Sequence, residues 1–205
     1  LLGAFVLLVA LVAVLFLTRG TPIEKIHLAD EGRDPLVVGD PLFCETFSVL
    51  TNTNLTDSNA VDLLFNGDDT YGPLLEALAA AQRHITWHVF WFRPGALADR
   101  VRDVLAERAR AGVTVLVLLD YYGSHSLDDA YVESLRAAGV RVEWFRRLHW
   151  YTLYKVQQRS HMRTVVIDAQ IGFTGGFGID DRWLGDGRHA DQWRDTSVRV
   201  RGPIV

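Results

Sequence analysis

The sequence predicts an α/β fold, a sheet flanked by helices, preceded by an N-terminal transmembrane helix. Three observations predict it. Between residues 85 and 145, strand-like runs alternate with helical periodicity in the order β-α-β-α-β, the pattern of a sheet covered by helices. Residues 160–179 read as a strand, a tight turn, a second strand and a pair of glycines. Residues 1–17 carry no charged or strongly polar side chain, and Arg19 closes the run.

A run of about 17 to 25 apolar residues suits a bilayer-spanning helix, so residues 1–19 are read as a membrane anchor. Residues 16–19 offer no small-x-small cleavage site, which separates the run from a secretory signal. Residues 20–41 mix charge with Gly and Pro and show little periodicity, as a juxtamembrane linker would. The remaining residues, 42–205, are enough for one α/β domain with a real core.

Composition narrows the function classes. Cys44 is the one cysteine in 205 residues, so the chain has neither an internal disulfide nor a Cys/His metal cluster; a reducing, cytoplasm-facing domain at the cell membrane fits. A formal net charge of −4 argues against a general nucleic-acid binder, which carries a basic surface to displace counterions. A local basic patch, Arg141, Arg146, Arg147, Lys155, Arg159 and Arg163, gathers towards the hairpin.

In chain order, residues 43–55 and 61–65 read as short strands between polar turns. Residues 66–70 form a turn leading into a helix with Pro73 in its first turn and Leu74, Leu75, Leu78 and Ala81 on one face. An aromatic strand over 85–92 follows, in which His88 reads as a hydrogen-bonded core histidine. A helix over 96–111 carries Leu97, Val101, Val104 and Leu105 at helical spacing, and Gly112 ends it. Residues 113–119 are a continuous apolar run, as in a central strand covered on both faces. A helix over 127–138 and a strand over 140–145 complete the alternation. Asp120 lies at the carboxyl end of its strand, where ligands of open α/β sheets gather; a cap or turn former is the plainer reading of it.

The hairpin carries the chemistry. Its strands cover 162–167 and 171–174, joined by Asp168-Ala169-Gln170. Alternate side chains of a strand share a face, which puts His161 with Arg163 and Met162 with Thr164. An imidazole acts as nucleophile or as acid and base near neutral pH. A guanidinium holds two phosphate oxygens through parallel donors, and amides freed by Gly175 and Gly176 add more. The pairing suits a phosphate.

These residues resemble the phospholipase D superfamily, whose signature is His-x-Lys, four residues, Asp, then six residues and Gly-Ser or Gly-Gly-x-Asn. His161, Asp168, Gly175 and Gly176 fall on it, and the flanking words are similar to those of bacterial cardiolipin synthases over residues 66–205. Two positions depart: Arg163 stands for Lys and Gly178 for Asn.

The resemblance implies a phospholipase D-like fold and a phosphatidyltransferase acting on phospholipid phosphodiesters through a phosphohistidine, without metal or organic cofactor. His161, Arg163 and Asp168 are then the catalytic group, with Asp168 orienting a histidine. Gly175, Gly176 and Asp120 bind or support the substrate. The family builds one site from two such motifs and this chain has one, so the second is expected from a repeat beyond Val205 or from a second copy about a two-fold axis. Two other classes stay open: a degenerate lipid-binding or scaffold member, on account of Arg163 and Gly178, and a nuclease, which the acidic charge and the anchor disfavour.

Overall fold

The computed structural model describes residues 2–17, 37–151 and 156–205. They form two compact units, Leu1–Leu55 and Thr56–Val205. Most of the expected linker (20–36), the ends of the expected anchor (1, 18 and 19) and Lys155 of the basic patch lie outside the described residues.

The first unit holds α1 (Leu2–Leu17) and α2 (Phe43–Thr51). α1 is apolar all round, but its 16 residues rise only about 24 Å against a hydrocarbon core of about 30 Å. No helix among the described residues is long and apolar enough to cross a membrane, so the expected span is not seen among them. α2 replaces the expected strand over 43–55. The Phe43 and Phe47 rings, one turn apart, stack with centroids 5.6 Å apart, and Asn52 ends the helix in the left-handed conformation at φ 51°. The aromatic residues that favoured a strand lie at i and i+4, a helical spacing.

The second unit is built on a seven-stranded sheet of order β1-β7-β6-β5-β2-β3-β4. Its strands are β1 (Ala60–Phe65), β2 (His84–Val89), β3 (Thr114–Asp120), β4 (Arg141–Phe145), β5 (Thr164–Ile167), β6 (Ile171–Gly175) and β7 (Thr196–Arg201). β2, β3 and β4 are parallel, joined by α4 (Ala96–Arg110) and α5 (Asp129–Ala137), which lie where the periodicity places them. From β2 through β5, β6 and β7 to β1 every pairing is antiparallel. Leu97, Val101 and Leu105 of α4 join Ile85, Trp87, Val115, Val117, Val165 and Phe173 of the sheet in one buried core.

α3 (Asn66–Ala80) starts at the residues expected to form a turn, so Pro73 lies well inside it. The early start has a tertiary cause: Asn66 N–H donates to the Asp195 carbonyl (2.9 Å) and Asp68 N–H to that of Gly185 (3.1 Å). Orphan donors of the first turn are thereby satisfied from distant segments.

This topology gathers one edge of the sheet. The carboxyl ends of β2, β3 and β4 lie there with the start of β5, because β5 runs antiparallel to β2. The end of β6 and the start of β7 join them through the pairing of Gly175 with Ser197.

Candidate active site

Phe90, the residue after β2, is the floor of the site. The His161 ring lies 4.1 Å from its centroid at 40°, and Arg163 Cζ lies 5.8 Å from the same ring. His161 and Arg163 therefore face the same ring, although β5 starts at Thr164 and not at the expected Met162, so that both precede the strand. Met162 and Thr164 line a groove of about 510 Å³ on the opposite face with Thr86 and His88. His88, expected as a hydrogen-bonded core residue, is half-buried there. Its Nε2 has no hydrogen-bond partner among the described residues, and burial lowers its pKa against the field of Asp120.

Arg163 is half-buried, and its Nε is a buried donor with no protein acceptor among the described residues. Burial lowers its pKa while the charge of Asp195 and the Tyr71 phenol oppose the shift. Asp195 is fixed by exchange with Asn66, its N–H donating to Asn66 Oδ1 at 3.1 Å. A Cβ on Gly176 would stand 2.6 Å from Asp195 Oδ1, so only glycine lets the backbone approach that carboxylate.

Tyr71 is buried, and its hydroxyl donates to the Gly178 carbonyl at 2.7 Å. Burial, then the charges of Asp195 and Asp180, push its pKa up, so the phenol stays a donor. Gly178 itself fits against β2's extension: a Cβ there would lie 2.5 Å from the Trp91 carbonyl oxygen. The departure from Asn thus has a local packing reason.

Asp120 is fully buried. Its Oδ1 accepts from Tyr122 N–H (2.9 Å) and Gly123 N–H (3.1 Å), and its Oδ2 from Ser160 N–H (3.3 Å). Arg159 Nη1 stands 4.0 Å away, itself nearly buried. From this fully buried position the carboxylate holds its own turn and the approach to His161. Ser124 Oγ donates to the Phe90 carbonyl at 3.2 Å, tying the same loop to the floor.

Asp168 is not brought to this edge. It opens the hairpin turn at the far end of β5, with φ 54° there and 52° at Ala169, a left-handed pair of the type I′ kind. Five residue steps at about 3.3 Å separate it from Arg163, roughly 16 Å. Its carboxylate accepts from the N–H groups of Gln82 (2.8 Å), Arg83 (2.8 Å) and His84 (2.9 Å). Desolvation raises its pKa, but these bonds outweigh it and the net shift is downwards. At that distance the carboxylate does not orient His161, and it clamps the start of β2 to the hairpin.

Phe90, Tyr71 and Asp195 escaped the sequence reading as site residues. Phe90 and Tyr71 look like core aromatics in sequence, and Asp195 has no motif spacing of its own to mark it. Trp193 packs 4.6 Å from Trp183, with Arg182 3.9 Å above its ring. His189 is exposed. Among the described residues no three His, Cys, Asp or Glu side chains gather to hold a metal ion. A half-buried cation with a free donor, beside an exposed imidazole on an aromatic floor, can hold a phosphoryl oxygen next to a nucleophile.

Comparison with known proteins bears on this geometry. Residues 74–191 match the family described as cardiolipin synthase, PLD-like domain. Cardiolipin synthase A of Pseudomonas fluorescens (strain SBW25) is 39% identical over 149 residues, 72% of this chain and 31% of that protein. Cardiolipin synthase of Oceanobacillus iheyensis is 37% identical over 150 residues, 73% and 31% of the respective chains. The match thus spans about a third of these relatives' length. Among solved structures, NucT from Helicobacter pylori aligns at a TM-score of 0.55 and 13% identity, over 70% of this chain and 86% of its own. Nuc of Salmonella typhimurium, a phospholipase D family member, aligns at 0.51 and 14%, over 71% and 84%. At these identities the two structures speak for the fold alone.

Proposed function

The chain belongs to the cardiolipin synthase, phospholipase D-like domain family, and on that premise we propose that it carries one half of a phosphatidyltransferase site working through a phosphohistidine at His161. In the first step a nitrogen of the His161 ring attacks the phosphorus of a phospholipid phosphodiester. A P–N bond forms, the P–O bond to the leaving alcohol breaks, and the histidine of a second motif gives that alcohol its proton. In the second step an acceptor alcohol loses its proton to that histidine and its oxygen displaces His161. A covalent intermediate suits exchange between two alcohols, because the first can leave before the second arrives.

The observation that carries the reading is Arg163, whose half-buried guanidinium shares the Phe90 face with the exposed ring of His161. A guanidinium on that face can donate to a phosphoryl oxygen, and its charge offsets the charge developing in the transition state. The second motif comes from a further repeat or from a second copy of the chain, and α1, apolar on every side, keeps the site at the membrane surface. The rival reading, a lipid-binding member without activity, rests on the Arg and Gly found at positions 163 and 178.

Phosphate-labelled phosphatidylglycerol, quenched in alkali after mixing with protein that holds both motifs, tests the proposal. Label is expected on the peptide bearing His161. Losing a charged hydrogen-bond partner costs about 1.5 to 3 kcal/mol, so Arg163→Ala should slow turnover roughly ten- to a hundred-fold, and Arg163→Lys should retain activity. Full turnover by a folded His161→Ala variant would take the chemistry away from His161, and vesicle binding with neither label nor turnover would leave the lipid-binding reading standing. Rates that climb with the square of protein concentration mark a second copy as donor of the other motif.

A further inference from the structure

Residues 146–151 leave the sheet at the end of β4 beside the site and end in exposed rings. Trp150 is 84% exposed and Tyr151 is 59% exposed. The two rings meet edge to face at 5.6 Å, and His149 stacks on Tyr151 at 5.2 Å, so the tip is one aromatic unit.

The base of this segment is anchored to the site. Arg146 Nη1 donates to the Gln158 carbonyl at 2.7 Å, and Arg159 Nη1 donates to the Arg146 carbonyl at 2.9 Å. Arg159 stands against Asp120, which holds Ser160 and hence His161. Arg147 is exposed, with its Cζ 5.7 Å from the Trp144 ring.

Charge is distributed unevenly around it. From Arg141 to Arg163 the chain has six Lys or Arg residues and one acid, Glu143, although its formal net charge is −4. Exposed Trp and Tyr beside Arg is the chemistry of a membrane interface, where amphipathic rings sit at headgroup level and cations meet anionic lipid.

We propose that residues 146–151 are a docking surface for an anionic phospholipid bilayer: Trp150 and Tyr151 enter the interfacial layer, Arg147 meets headgroup phosphates, and the pinned base sets His161 at the height of those phosphates. The proposal rests on the phospholipid reading of the site and adds the element that presents the site to the surface. Single-stranded nucleic acid also binds stacked rings and cations, but the acidic balance of the whole chain favours the local attraction of a lipid sheet.

The test uses the whole chain, with α1 kept in every variant, and vesicles of phosphatidylcholine alone or with phosphatidylglycerol. Vesicles whose acyl chains carry bromine should quench tryptophan fluorescence in the anionic mixture. Trp150→Phe should lose part of that quenching however tightly the rest of the chain binds. Each surface cation is worth about 1 kcal/mol on an anionic membrane, so Arg147→Gln should weaken partitioning about five-fold and leave the zwitterionic baseline unchanged. Both side chains are exposed, and equal melting temperatures will show that the fold is intact.

Unchanged quenching in Trp150→Phe together with unchanged partitioning in Arg147→Gln overturns the proposal. So does tighter, variant-sensitive binding to single-stranded DNA than to vesicles. In protein that holds both motifs, with short-chain phosphatidylglycerol dissolved as monomers, both variants should match the parent rate while falling behind it on vesicles. Absence of any turnover of the monomeric lipid counts against the catalytic reading alone, since quenching reports docking without chemistry.

Discussion

Asp120 and Ser160 lie forty residues apart, and the Asp120 carboxylate accepts the Ser160 backbone N–H at 3.3 Å, one residue before His161. The buried end of β3 thereby fixes where the segment bearing His161 enters the candidate site.

Asp120→Ala should destabilise the protein by about 3 kcal/mol, because it strips two turn N–H groups of their acceptor and leaves Arg159 without its carboxylate in a buried setting. Urea denaturation measures the loss. The variant should also lower kcat more than it raises KM for lipid, since Asp120 positions His161 and touches no substrate. A KM effect alone would mean that the carboxylate faces the ligand after all.

Asp168→Ala separates the two ends of β5. Three charge-assisted N–H bonds disappear, and a loss of about 2 kcal/mol in stability is expected. The chemistry at His161, roughly 16 Å or more away along the strand, should persist in the folded fraction. A stable but inactive Asp168→Ala protein would restore the orienting role that the geometry denies it.

The Asp180 carboxyl is held at about 2: burial raises it, but donors from Arg182 and Trp91 outweigh that. A carboxyl depressed from its ordinary 3.8 contributes stability that is complete above that value and lost as pH falls through the folded one. Denaturant midpoints taken down to about pH 2 should therefore fall more steeply for the parent than for Asp180→Asn. Parallel curves would show that the depression is absent.

Gly178→Asn restores the family's usual residue and should still harm this protein. The new Cβ would lie 2.5 Å from the Trp91 carbonyl and 2.9 Å from Trp91 Cβ, a crowding that costs about 1 to 3 kcal/mol. Thermal melting reads it out. A Gly178→Asn variant that melts with the parent and turns lipid over faster would show that the backbone yields and the amide matters more.

The sequence by itself determined the alternation of β2 to β4 with α4 and α5, the hairpin, and the shared face of His161 and Arg163, because these follow from periods of 2 and 3.6 residues and from turn chemistry within short windows. It could not separate the two ends of β5. Asp168 stands five residues after Arg163 in sequence, and only the antiparallel pairing of β5 with β2 sends it to the opposite edge of the sheet. It could not distinguish Phe90 from the core aromatics around it, since the floor exists only once His161 folds over it. It placed α2 in a strand because aromatic residues satisfy either period over a short stretch. Asp195 was beyond local reading as well: it reaches the Gly176 backbone through the β6–β7 pairing. Contacts between residues far apart in sequence depend on strand order and direction, and those are settled by the packing of the whole sheet.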